Sequence, residues 1–154
     1  MGEVKVGSGQ MKKITMLLLT VLLALPSAVV FAAEKQKLCF SKNVCVNAQV
    51  VRDKIALEQG MAFRKSLGKN EGMFYIFPFS TLNVGFQAKN MLFALDVIYL
   101  DENKKVVFIS PDMTPCVGDV CLVSRPSCQF TDMLEVNAGF AKAHGIKVGD
   151  RIRP

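Results

Sequence analysis

Two β-branched apolar runs on either side of four polar residues constrain this chain most. Asp96–Leu100 (DVIYL) and Lys105–Ile109 (KVVFI) flank Asp101-Glu-Asn-Lys104, the pattern of two strands joined by a tight turn. Similar runs recur along the chain. Val44–Val51 (VCVNAQVV) is apolar and β-branched, and Met73–Phe77 (MFYIF) is wholly apolar and is ended by Pro78. Phe86–Leu92 reads as a strand of unfixed bounds, and Met133–Val136 and Arg151–Arg153 as short strands. Helical signals are few. Asp53 is placed to cap Lys54–Gln59, with Gly60 as its stop. Met61–Leu67 either continues that helix or is irregular, and Gly68–Gly72 is a turn. Asn137 is placed to cap a short helix through Ala143, stopped by Gly145. Ser110–Cys128 holds Pro111, Pro115, Gly118 and Pro126 and reads as a long loop. Strands do not alternate with helices, which argues against a doubly wound parallel sheet. The expected fold class is mostly β with two short helices (α+β). A small twisted antiparallel sheet closing toward a barrel, in a single domain, fits best, since closure removes exposed edges.

The N-terminal region is of another kind. Met11–Ala33 reads MKKITMLLLTVLLALPSAVVFAA. Lys12 and Lys13 give a basic start, Ile14–Leu25 an apolar run, Pro26-Ser27 a break, and Val30-Phe31-Ala32 a cleavage-like ending. That is the layout of a secretory signal peptide. Cleavage is expected after Ala32, with Ala33 as the next choice. The domains are therefore 1–32, a signal peptide with an upstream extension before Met11, and 33–154, a single β-rich domain. The competing reading is an uncleaved inner-membrane anchor, since Ile14–Ala33 is long enough to span. Export to the periplasm is the expected location. Removing Lys5, Lys12, Lys13 and Glu3 takes the formal charge from +6 to +4. The remaining basic residues are dispersed, so nucleic-acid binding has little support.

All five cysteines follow the apolar segment: Cys39, Cys45, Cys116, Cys121 and Cys128. An oxidising compartment favours disulfides. Cys39 and Cys45 bracket a hairpin-like Ser-Lys-Asn, and Cys116 and Cys121 bracket Val-Gly-Asp-Val. Bridges 39–45 and 116–121 with Cys128 free are the preferred pattern, and Cys128 paired with Cys116 or Cys121 is the rival. The spacing of Cys116 and Cys121 is compatible with zinc, but His144 is the lone histidine. Neither pair has the C-x-x-C spacing of a redox site. No metal and no cofactor are expected.

The order of several blocks resembles a known family. They are Gly60-Met-Ala-Phe-Arg64, Glu71-Gly-Met-Phe-Tyr-Ile-Phe77, Lys89-Asn90, Leu95-Asp96, Pro115-Cys116, Leu134–Phe140 and Gly145-Ile-Lys-Val-Gly-Asp150. Together they resemble the bacterial and archaeal family called domain of unknown function 192 (DUF192), over about Asn47–Ile152. The resemblance implies frequent export and no established reaction. The chain departs from the family pattern at Gln87, Ala88, Met91 and Ala94, so the region around Lys89-Asn90 has different walls here. The last block also resembles the helix–Gly-x-x-Gly-Asp–strand segment of small β-barrels, a likeness of architecture alone.

Arg64, Lys89, Asn90, Asp96 and Glu135 are the polar residues of these blocks and the candidate ligand-binding set. A buried carboxylate at Asp96 needs a partner, and Arg64 or Lys89 is the natural one. A structural ion pair or backbone clamp competes with a small anion or polar-ligand pocket. No catalytic residue is assigned. His144 sits at a helix end, where a cation suits the dipole. Two classes of function follow. The first is a non-catalytic exported module binding a small ligand, envelope polymer or protein partner. The second is an enzyme with a thiol- or carboxylate-based site near the 110–128 loop, through Cys128 or Cys116. Oligomeric state is not legible.

Overall fold

The computed structural model describes Gly2, residues 33–82 and residues 84–153. The expected signal peptide and its cleavage site at Ala32 lie outside the described residues. Residues 33–153 pack as one unit. Its strands are β1 (Lys35–Ser41), β2 (Val44–Val51), β3 (Glu71–Thr81), β4 (Phe86–Gln87), β5 (Leu95–Leu100), β6 (Val106–Met113), β7 (Val123–Ser124) and β8 (Phe130–Asn137). The helices are α1 (Lys54–Gln59) and α2 (Phe140–Ala143). The mostly β reading with two short helices therefore holds.

Six strands form one sheet in the order β1-β2-β3-β8-β5-β6, and β4 and β7 form a separate pair. Two expectations are corrected. The large sheet is mixed, because β2 and β3 run parallel. Parallel neighbours need a crossover of about a dozen residues or more, and residues 52–70, with α1 inside them, supply it. Six helical residues are too few to announce a β–α–β unit in the sequence. The sheet also does not close into a barrel. Instead of a last strand at Arg151–Arg153, the C-terminal segment makes isolated bridges, Cys39 to Arg153 and Lys105 to Arg151. It thus touches β1 at one edge and the β5–β6 hairpin at the other.

Pro78 does not end β3 as expected. It sits where the β3–β8 register shifts between Ile76 and Thr81, so its missing N–H interrupts no ladder. Phe86–Leu92 yields only the two residues of β4. Asp53 does cap α1, accepting from the Ala56 amide at 2.9 Å. Asn137 does not cap α2, whose N-cap is Gly139 at φ 80°. The Asn137 side chain instead donates to the carbonyls of Leu67 and Gly68.

Alternation along the strands sorts side chains onto two faces. One face holds Val46, Ala48, Phe74, Ile98, Leu100, Leu134 and Val136, packed with Phe140, Ala141, Ile146 and Ile152. The other holds Met73, Tyr75, Val97, Tyr99 and Met133, packed with Met61, Ala88 and Met91. The central β5 is buried at every position, as a strand covered on both faces must be. Two disulfides staple the periphery. Cys39 and Cys45 face each other across the β1–β2 hairpin with Cα atoms 4.0 Å apart. Cys116 and Cys121 close the loop between β6 and β7, and Cys128 is free. Among the described residues no helix is long and apolar enough to cross a membrane.

Candidate functional site

The second face of the sheet carries a buried polar pair. Met73 stands opposite Glu135 and Tyr75 opposite Met133 in the β3–β8 ladder. Tyr75 and Glu135 are therefore diagonal neighbours on one face, a separation an aromatic side chain can bridge. The Tyr75 hydroxyl donates to Glu135 Oε2 at 2.6 Å. Glu135 is 1% exposed, and its Oε1 has no hydrogen-bond partner among the described residues. Burial pushes the Glu135 carboxyl up to about 8, against the Tyr75 hydrogen bond and the Arg64 charge, which favour ionisation. Burial, then the Glu135 charge and hydrogen bond, raise the Tyr75 hydroxyl well above its ordinary 10. Near neutral pH Glu135 is thus mostly a carboxylic acid. Tyr75 engages Oε2, which leaves Oε1 as the unpartnered oxygen.

A cavity of about 300 Å³ opens over this pair. Tyr75 and Glu135 form its buried end, and Leu57, Met61, Met91 and Met133 its apolar walls. Glu58, Gln59, Gln87, Lys89 and Asn90 line it nearer the solvent. Two features shape these walls. Gly60, at φ 50°, passes so close to Tyr75 that an added Cβ would stand 2.7 Å from the hydroxyl oxygen. Phe63 and Asn90 both have φ near 60°, and the Phe63 amide donates to the Asn90 carbonyl at 2.8 Å. Left-handed non-glycine residues are costly and gather at functional sites. The stapled loop also reaches this region, with the Cys116 amide donating to Ala88 beside Lys89.

The five sequence candidates separate accordingly. Lys89, Asn90 and Glu135 line the one cavity. Arg64 stands behind it, donating to Gln49 on β2 and acting on Glu135 through its charge. Asp96 lies elsewhere, because its even position on β5 puts it with Ile98 and Leu100 on the other face. There it is fully buried and accepts from the amides of Asp112, Gly139 and Ala141 at 3.0, 3.1 and 2.8 Å. It clamps the end of β6 to the start of α2 and pairs with neither Arg64 nor Lys89. Cys116 is bound in a disulfide, and the Cys128 thiol faces the Val107 carbonyl at 3.7 Å. Sequence reading passed over Tyr75 because MFYIF looks like plain core. Alternation from Glu135 was the available signal, but it needs the β3–β8 register.

A second, smaller chamber of about 140 Å³ adjoins the first. The two share Leu57, Tyr75, Gly85, Phe86 and Met133. Phe77, Val84, Tyr99 and Phe130 complete the smaller one, with edge-on ring contacts of Phe130 to Phe77 at 5.5 Å and to Tyr99 at 4.8 Å.

Residues 37–154 match a family whose description is uncharacterized ACR, domain of unknown function 192. The chain belongs to that family. No curated protein matches this DUF192 member. Two solved structures share its fold. A protein from Sinorhizobium meliloti 1021, described as a candidate transcription regulator, is 21% identical with a TM-score of 0.71, over 79% of this chain and 95% of that one. A protein of unknown function from Novosphingobium aromaticivorans DSM 12444 is 22% identical with a TM-score of 0.71, over 82% of this chain and 89% of that one. At such identities the likeness establishes the fold and no activity.

Proposed function

We propose that this DUF192 member is an exported, non-catalytic binding module that holds a small ligand in the cavity above Glu135. One observation carries the reading. Glu135 lines a cavity, its buried Oε1 has no partner among the described residues, and its companion oxygen is held by Tyr75. An unsatisfied buried polar atom costs about 1–3 kcal/mol, so a ligand oxygen placed against Oε1 recovers that cost. The two disulfides fit an oxidising compartment beyond the inner membrane.

The test is a backbone NMR titration of the disulfide-bonded protein with acetate, acetamide and glycerol. The expected result is shifts clustered at the amides of Met61, Tyr75 and Glu135 for at least one probe. No clustered shift with any probe would overturn the reading. The mass of protein taken from the exported fraction tests the address: a chain beginning at Ala33, four hydrogens lighter than reduced, supports export with cleavage. A chain retaining residues 1–32 supports the anchored form.

One observation favours a second reading. Glu135 lines the cavity with its carboxyl pushed up to about 8 by burial, and such a carboxyl is suited to general-acid chemistry. In that case Glu135→Gln abolishes turnover of a substrate, whereas a binding module keeps its ligand.

A further inference from the structure

The two adjoining chambers differ in character, and that difference defines a ligand. The larger has the Glu135 carboxyl at its buried end and amide and charged side chains at its mouth. The smaller offers almost only carbon. Its two hydroxyls are already engaged, Tyr75 with Glu135 and Tyr99 with Ser124 at 2.8 Å. Ser124 is in turn bonded to Ser110. A polar group entering the smaller chamber would lose its water and gain no partner, whereas an apolar group is favoured there.

We infer that the ligand class is a small amphiphilic carboxylate, its head against Glu135 Oε1 in the larger chamber and its apolar tail among Phe77, Phe130 and Tyr99 in the smaller. The inference rests on the binding reading above and adds the ligand's chemistry. The sign of the head group follows from the surroundings. Lys89 and Glu58 stand at the mouth, Arg64 lies outside the lining and acts on Glu135 through its charge, and burial with the Glu135 charge keeps the Tyr75 hydroxyl protonated. A protonated Glu135 offers a donor, and the hydrogen bond from an acid to a carboxylate oxygen is short and strong. An ammonium head would bring a donor to a donor. At ~30 Å³ per water-sized group, 140 Å³ accommodates roughly five such groups, a tail of about that many carbons.

The test is a calorimetric titration of the disulfide-bonded protein with acetate, octanoate and octylammonium at pH 7 and pH 9. Octanoate is expected to bind at least about tenfold tighter than acetate, since each buried methylene adds several-fold, and tighter than octylammonium. Its affinity should fall about tenfold from pH 7 to pH 9 as Glu135 loses its proton. Glu135→Gln should remove the pH dependence of octanoate binding, because its amide has no proton to lose. Val84→Trp, at the half-exposed edge of the smaller chamber, should weaken octanoate and leave acetate unchanged. Octanoate binding no tighter than acetate, with NMR shifts still clustered at Glu135, overturns the amphiphile and spares the binding site. Tighter octylammonium overturns the carboxylate head. No binding by any probe, with no clustered shifts, removes both readings.

Discussion

Replacing Glu135 by glutamine changes how stability depends on pH, and the size of the change follows from the burial of one carboxyl. Its ordinary value of 4.5 is raised to about 8 in the folded protein, with burial as the main cause. The folded state therefore binds a proton more tightly than the unfolded chain does. Stability from this group is fully present below pH 4.5 and is lost as pH rises toward 8. The interval spans about 3.5 pH units at ~1.4 kcal/mol each, which gives roughly 5 kcal/mol. That is a large share of the ~5–15 kcal/mol that keeps a typical domain folded. Glutamine has no proton to lose. It preserves the acceptor for Tyr75 and is close to isosteric. Urea unfolding of both proteins with disulfides intact, at pH 4.5, 6, 7 and 8.5, gives the difference in free energy at each pH. The expected difference is small at pH 4.5 and grows by about 4 kcal/mol in favour of Glu135→Gln by pH 8.5. Groups common to both proteins cancel. A difference constant to within about 1 kcal/mol would show that Glu135 ionises normally and refute the reasoning.

Other outcomes follow from the same contacts. Gly60→Ala places a Cβ 2.7 Å from the Tyr75 hydroxyl at a left-handed φ. It should cost about 1–3 kcal/mol in denaturant midpoints and displace the Tyr75 resonances. Asp96→Ala strips the shared acceptor from three buried amides; a loss of about 3 kcal/mol or more is expected, with amide exchange accelerating at Gly139 and Ala141. An unchanged exchange pattern there would deny the clamp. Reducing both disulfides should lower stability by about 2 kcal/mol per small loop, read as a fall in Tm. In the native oxidised protein a thiol reagent should modify Cys128 and no other cysteine.

The sequence exposed what depends on neighbours along the chain. The β5–β6 hairpin, the Asp53 cap and the Gly60 stop are local devices, and they stand where their residues place them. Both disulfides join cysteines close in sequence and were legible for the same reason. What failed depends on distant partners. The parallel β2–β3 pair hides behind a six-residue helix. Pro78 reads as a terminator until the bulge that excuses it is known. Asn137 looks like a cap, but Asp96, about forty residues earlier in the chain, accepts the α2 amides from β5. The candidate site shows the same limit. Glu135, Lys89 and Asn90 were recognisable as polar residues of the family-like blocks. Their meeting with Tyr75, and the separation of Asp96 to the opposite face, are fixed by strand register alone.

Carbon-detected NMR of the side-chain carboxyls, followed from pH 4 to pH 10 with and without octanoate, reads the protonation of Glu135 and its link to the ligand in one experiment. One glutamate, assigned to Glu135 by its absence in Glu135→Gln, is expected to titrate near pH 8. Octanoate should move that midpoint higher, because a bound carboxylate favours the protonated partner. If Glu135 titrates near 4.5, or its midpoint ignores octanoate, the neutral acid above the cavity is not the ligand's partner and the account is wrong.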